Sequence, residues 1–368
     1  TPITVTRRDS SRLQADIKIP GLSGRVALKD VAVLSRQFAT MINSGLSLLR
    51  ALSILSEQTE NAALARMIGE VRQDVERGSS LSASLARHPK AFNRLYISMV
   101  RSGEVGGSLD AVLMRLADTI ESQVELHRKV KSAMTYPVVV FSLVVFIASA
   151  MLLFIVPQFK GIYVELGGTL PLPTRILISI SDVVKKYFPI LILLSAIGGW
   201  FLRRWARSAK GRPTWDAFVL KVPVFGLLAR KGALARFART LAALTRSGVG
   251  ILEALEIVAD TAGNEVVSLA LRDTQRAVKQ GDTLARPLSQ HEVFPPMVVQ
   301  MIAVGEETGA LDDMLDKIAD FYDQEVEATV DALTSLIEPL LIVTMGVLVG
   351  GMIISLYLPM FRIITLIK

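Results

Sequence analysis

The sequence predicts an all-α membrane protein in which one helical module of about six helices occurs twice, joined to three transmembrane helices. Three observations carry that expectation. There are long apolar runs free of charge, a self-similarity over about a hundred residues at nearly constant offset, and helical spacing of the apolar residues. No alternating run marks a strand.

Composition agrees with that class. The 368 residues exceed the usual single-domain range, and the 51% apolar content with a mean hydropathy of +0.44 is high for a water-soluble chain. The 20% charged content is too high for a chain lying mostly inside a bilayer. Long membrane helices joined to ordinary soluble domains reconcile the two. Cysteine is absent and only three histidines occur, which leaves little material for thiolate or zinc chemistry. The net charge of +7 could mean nucleic acid, but basic residues beside membrane helices account for it equally well, and no nucleic-acid partner is expected. Thr1–Pro20 is polar and basic, without a signal-peptide core, so the first domain is expected to stay in the cytosol.

A helix needs roughly 20 apolar residues to cross the hydrocarbon core. Val138–Val156 supplies 19 and Pro339–Phe361 supplies 23, each without a charge. Tyr187–Leu202 supplies 16, about 24 Å of helix, and would need Lys185, Lys186, Arg203 and Arg204 to snorkel. The alternative for that segment is a buried helix of a soluble domain. Arg128, Lys129 and Lys131 precede the first span, and a basic cluster from Arg203 to Arg212 follows the second. The positive-inside rule then places the N-terminus and both large domains in the cytoplasm of a multi-pass inner-membrane protein. The expected layout is a polar extension (1–27), module 1 (28–137), a first span (138–156), a periplasmic loop (157–186) and a second span (187–202). Module 2 (203–338), a third span (339–361) and a periplasmic tail (362–368) follow.

Residues 32–137 and 235–339 align at an offset of 203, falling to 202 after one deletion near His88/His291. Matched pairs include Arg36/Arg239, Gly45/Gly248, Gly78/Gly281, Gly103/Gly305, Glu104/Glu306, Gly107/Gly309, Asp110/Asp312 and Pro137/Pro339. Paired glycines and prolines report shared backbone turns. In the first copy, apolar periodicity predicts helices stopping at Asn43-Ser44-Gly45, running over Leu48–Leu55, closing at Gly78-Ser79, ending before Pro89, and ending at Ser102-Gly103. A long helix then starts at Ser108 and runs toward the membrane, where Pro137 is expected to kink it.

The loop Gly103-Glu104-Val105-Gly106-Gly107-Ser108-Leu109-Asp110 recurs as Gly305-Glu306-Glu307-Thr308-Gly309-Ala310-Leu311-Asp312. Two readings stand beside each other: a tight helix connection whose glutamate accepts backbone amides at a helix start, or a cation or partner site built from the Glu and Asp. A cation site would be better equipped in the second copy, with Glu253, Glu306 and Asp312, because Glu253 stands where the first copy has Arg50. In the third span Gly346 and Gly350 form a Gly-x-x-x-Gly pair, which permits close helix packing within the chain or between subunits. No nucleotide loop, zinc-protease pair or nucleophile elbow occurs, and the spans carry no acid, lysine or arginine, so neither an enzyme nor a transporter is expected.

Several stretches resemble one known family. They are Arg36–Met41 running to Ser44-Gly45-Leu46, Ala133-Met134-Thr135-Tyr136-Pro137, Val156-Pro157-Gln158-Phe159, Leu170-Pro171-Leu172-Pro173-Thr174, Val222–Gly226, and both Gly-Glu-x-x-Gly-x-Leu-Asp loops. Over residues 28–361 the chain resembles the F family of type II secretion and type IV pilus inner-membrane proteins, and Phe294–Asp320 with Ser335–Leu341 looks most like the pilus branch. The resemblance implies a platform that engages a hexameric cytoplasmic ATPase and couples it to pilin insertion or extraction. It also implies contacts with pilin and inner-membrane alignment subunits, a homo-oligomeric state, and, in some members, calcium in the first cytoplasmic domain. Arg50 departs from an acidic position there. The equivalent secretion-system platform is the alternative.

Overall fold

A computed structural model describes residues 26–158, 171–206, 208, 210–223 and 225–366. The expected features on residues 1–25, the 159–170 part of the loop, and 367–368 lie outside the described residues. All regular structure among the described residues is helical. The chain forms two compact units, one of residues up to Val124 with Ser247–Val249, the other of Glu125–Arg246 with residues from Gly250 on.

The first unit contains α1 (Leu28–Asn43), α2 (Leu48–Gln58), α3 (Ala62–Glu76), α4 (Leu81–Ala86), α5 (Arg94–Gly106) and the start of α6 (Leu109–Ala150). The breaks follow local chemistry. Gly45, Gly78 and Gly107 take positive φ of 84°, 94° and 67°, a region that side-chain-bearing residues adopt only at a cost. Asn61 opens α3 by accepting from the Ala63 and Leu64 amides, and Asn93 opens α5 by accepting from Tyr96 N–H. The apolar faces meet in a core around Leu34, Leu52, Leu64, Leu81, Met99 and Leu113. Phe92 and Tyr96 pack edge to face at 4.8 Å inside it. The Tyr96 hydroxyl, pushed up to about 12 by burial, lies 3.2 Å from Ser35 Oγ.

The second unit holds the rest of α6, whose helix passes through a π turn at Met151–Ile155, and α7 (Leu172–Ala206). It continues with α8 (Gly211–Lys221), α9 (Phe225–Arg246), α10 (Ile251–Thr261), α11 (Glu265–Lys279), α12 (Ala285–Leu288), α13 (Pro296–Thr308) and α14 (Leu311–Leu366). α9 to α14 repeat the local chemistry of α1 to α6. Gly248, Gly281 and Gly309 have φ of 79°, 94° and 72°, and Asn264 caps α11 on the Val266 and Val267 amides. Phe237 and Phe294 stack edge to face at 5.2 Å in its core.

Among the described residues two helices are long and apolar enough to cross a membrane, over Leu109–Gln158 and Leu311–Leu358. Both run through their prolines, Pro137 and Pro339, without interruption. α7 differs from the sequence expectation. Residues 172–186, expected in the connecting loop, are helical, because Thr174, Leu177, Ile178 and Ser181 form an i, i+3, i+4, i+7 face that is buried. Leu177 and Ile178 cluster with Val156 of α6 and with Met352 and Leu356 of α14. Thr174 Oγ1 donates to the Ser355 carbonyl (2.5 Å), and Ser181 donates to the Leu152 carbonyl, which ties α7 to both. The packed part of α7 therefore precedes its uncharged run. The expected tail is likewise helical as far as Leu366.

Candidate functional site

The candidate site is a constellation built twice, where α5 meets α6 and where α13 meets α14. α5 does not stop at Ser102-Gly103 as its sequence suggested; it continues to Gly106 and ends on the left-handed Gly107. Gly103 is a packing residue. A Cβ there would lie 3.1–3.2 Å from Val112 Cβ and Leu109 Cα, so its absence lets α5 lie against α6. Gly305 is tighter, with a Cβ placed 2.9 Å from Leu311 Cα and 3.2 Å from Met314.

The adjacent glutamate reaches backward. Glu104 accepts from the amides of Leu81 (2.5 Å) and Ser82 (3.0 Å) at the start of α4. Glu306 accepts from Leu284 (2.6 Å) and Ala285 (3.0 Å) at the start of α12. Each carboxylate satisfies two helix-start donors and favours the positive end of the helix dipole. The capped helix is the short one before α5 or α13, not the long helix that follows the loop. In the first unit a cavity of about 350 Å³ opens beside this contact, lined by Ser80, Ser82, Ala83, Arg101, Glu104 and Val105.

A second duplicated feature escaped the sequence reading. Arg36 of α1 binds Glu121 (Nε–Oε1 2.8 Å) and Asp118 (Nη2–Oδ1 2.5 Å) on α6. Arg239 of α9 binds Asp320 (2.8 Å) and Asp323 (2.6 Å) on α14, the same positions at offset 202. Each arginine pins the first helix of its repeat to the last. The Arg36 hydrogen bond holds the Glu121 carboxyl below its ordinary range. The signal was present: Asp118/Asp320 is an identical pair opposite the identical Arg36/Arg239.

The repeats then diverge. Arg246 binds Asp312 (3.2 Å), Asp313 (2.8 Å) and Asp316 on α14, and its hydrogen bond lowers the Asp312 carboxyl. The first repeat has Asn43, Asp110, Ala111 and Met114 at those positions, so this clasp has no counterpart there. Of the acids suggested for a cation, Glu306 lies on backbone amides and Asp312 on Arg246. Among the described residues no group of three histidines or acids stands ready to hold a metal. A Cβ on Gly346, Gly350 or Gly351 would meet nothing within 4 Å, so the described residues leave the glycine stripe open.

A duplicated helical module, its last helix continuing into a membrane-length segment each time, defines a class of membrane-anchored helical scaffolds. The family model for type II secretion system (T2SS), protein F, matches residues 34–157 and again 237–359, and the chain belongs to that family. It is 50% identical to the type IV pilus assembly protein PilC of Thermus thermophilus, over 96% of this chain and 87% of that protein. It is 44% identical to PilC of Myxococcus xanthus, over 97% and 85%. It is also 37% identical to the type II secretion system protein F of Pseudomonas aeruginosa, over 93% and 84%.

Proposed function

We propose that this chain is the inner-membrane platform of type IV pilus assembly, a structural and force-coupling protein rather than an enzyme. The observation that carries the reading is the unbroken helix at the end of each repeat. At 1.5 Å per residue, α6 is about 63 Å long and α14 about 84 Å, each running from its arginine pin through a proline into an apolar segment. A helix of that length passes displacement of a module into the membrane without a flexible joint. The relatives named for pilus assembly, at 50% and 44% identity, support the pilus over the secretion role.

In this reading each module has six helices, and α7 supplies a third crossing at residues 187–202. The N-terminus and both modules face the cytoplasm. The modules meet hexameric assembly and retraction ATPases, the membrane helices meet pilin and alignment subunits, and copies of the chain meet one another. The open glycine stripe of α14 supports the last contact. The function needs no metal. A clean deletion strain tests it: surface pili and twitching should vanish while pilin synthesis is unchanged, and normal piliation refutes it. The secretion reading, favoured by the protein F relatives, predicts exoproteins retained in the periplasm of the same strain.

A further inference from the structure

We propose that α8, with the turn into α9, is a foot that lies on the anionic surface of the cytoplasmic leaflet. α8 is apolar on two opposite sides. Ala217 and Leu220 are half-buried on one side. On the flank, Asp216 accepts from Glu265 N–H at the start of α11 (2.8 Å), and Arg212 pairs with Glu265 (3.4 Å). These contacts hold the helix to its module and turn the other side outward.

That outward side carries Trp215 and Phe218, 38% and 59% exposed, with rings 6.1 Å apart. Phe225 and Leu227 follow at the start of α9, both exposed. A surface helix facing water keeps polar residues in that position. Here the stripe is flanked by Arg212 and Lys221, at 100° per residue around the helix. From Arg203 to Arg230 the sequence holds seven basic residues and one acid, Asp216, which Glu265 N–H already engages. Large aromatics rimmed by basic side chains match a bilayer surface, where the rings enter the headgroup and acyl boundary and the cations meet lipid phosphates.

The position fits as well. A Cβ on Gly211 would collide with the Trp205 carbonyl, and one on Gly226 with the Leu220 carbonyl, so two glycine corners hold α8 against the ends of α7 and α9. The last turns of α7 expose Trp200, Phe201 and Trp205, and the Arg204 guanidinium lies 5.7 Å from the Trp200 ring centre. Tryptophan beside arginine is the composition of the headgroup layer. The inference rests on α7 crossing the membrane, which brings Trp205 and therefore α8 to that layer.

The chain has three tryptophans, which makes the test direct. The whole protein is placed in nanodiscs of brominated phosphatidylcholine, with and without phosphatidylglycerol. One variant, Trp200→Phe with Trp205→Phe, reports on Trp215 alone; the other, Trp205→Phe with Trp215→Phe, reports on Trp200 alone. The foot predicts loss of most Trp215 emission to bromine, more with phosphatidylglycerol, and recovery of emission when Lys210→Glu and Lys221→Glu are added. Trp200 quenched with Trp215 bright overturns the foot and leaves the crossing standing. Both bright overturns the foot together with the crossing beneath it.

Discussion

Gly305→Ala tests how tightly the loop constellation is built. The new methyl would sit 2.9 Å from Leu311 Cα, a backbone atom that no rotamer change can move, and 3.2 Å from Met314 Cβ and Cγ. Relief requires α13 and α14 to separate by several tenths of an ångström, which also shifts Glu306 from the Leu284 and Ala285 amides. Overpacking of this kind costs about 1–3 kcal/mol. Alanine in a helix recovers about 0.5–1 kcal/mol over glycine. The net loss is about 1–2 kcal/mol, an apparent Tm lower by roughly 3–6 °C for a unit of this size. Gly103→Ala should lose less, because its nearest contact, Val112 Cβ at 3.1 Å, belongs to a side chain. Gly351→Ala, with nothing within 4 Å, should be neutral or stabilising. The assay is thermal unfolding of the three full-length variants in one detergent, followed by far-ultraviolet circular dichroism. A Gly305→Ala protein as stable as wild type, or a Gly351→Ala protein less stable than Gly305→Ala, would refute close packing as the reason for these glycines.

Arg239→Ala removes three ion pairs at one stroke, a long one to Asp316 (3.9 Å) and two short ones, and leaves Asp320 and Asp323 facing each other; a loss of about 1–3 kcal/mol is expected, partly restored by Arg239→Lys, as read by urea unfolding. Glu306→Ala strips the acceptor from two amides at the start of α12; hydrogen exchange there should accelerate by roughly tenfold, as loss of a cap worth about 1–2 kcal/mol implies. The Asp312 carboxyl lies below its ordinary 3.8 when folded, so its pairing with Arg246 contributes stability above the unfolded value and loses it as pH falls through the depressed one. The stability gap between wild type and Arg246→Ala should therefore be flat at neutral pH and close in acid. A Cβ on Gly350 meets nothing among the described residues, so Gly350→Ala should leave the Tm unchanged or raise it slightly while weakening self-association in cross-linking.

Much of this architecture was legible because duplication repeats a residue only where the backbone or a contact demands it. Gly45/Gly248, Gly78/Gly281 and Gly107/Gly309 marked turns, and all six have positive φ. Gly103/Gly305 obeyed the same pairing rule for a different reason, close approach inside and after a helix, and a bare sequence does not distinguish the two uses. The arginine pins were visible as paired letters, yet a surface Arg and Asp eighty residues apart carry no local pattern, and only the fold joins them. The first half of α7 was hidden by Pro171, Pro173, Arg175 and Asp182, which read as loop chemistry. Its burial depends on α6 and α14, partners distant in sequence, so periodicity over a mixed segment was the one available sign.

The two repeats bind their long helices to different degrees, and this bears on how each would carry force. In the first, Arg36 grips α6 over a single turn, from Asp118 to Glu121, and Lys129 further along α6 pairs with Glu327 of α14 (3.0 Å). In the second, Arg239 and Arg246, two turns apart on α9, grip α14 over Asp312 to Asp323, and Lys231 adds Glu325 (2.6 Å) and Thr329 (2.9 Å). Charged contacts spaced along a helix pair resist pivoting more than the same contacts gathered on a single turn. The clasp is written in residues that the duplication did not preserve, Arg246 for Asn43, Asp313 for Ala111 and Asp316 for Met114. The pins and the packing glycines stayed the same across the duplication, whereas Asn93, which caps α5, gives way to Pro295 before α13, and the clasp stands in the second repeat. The added clasp ties α14 to α9 over a longer stretch than Arg36 ties α6 to α1.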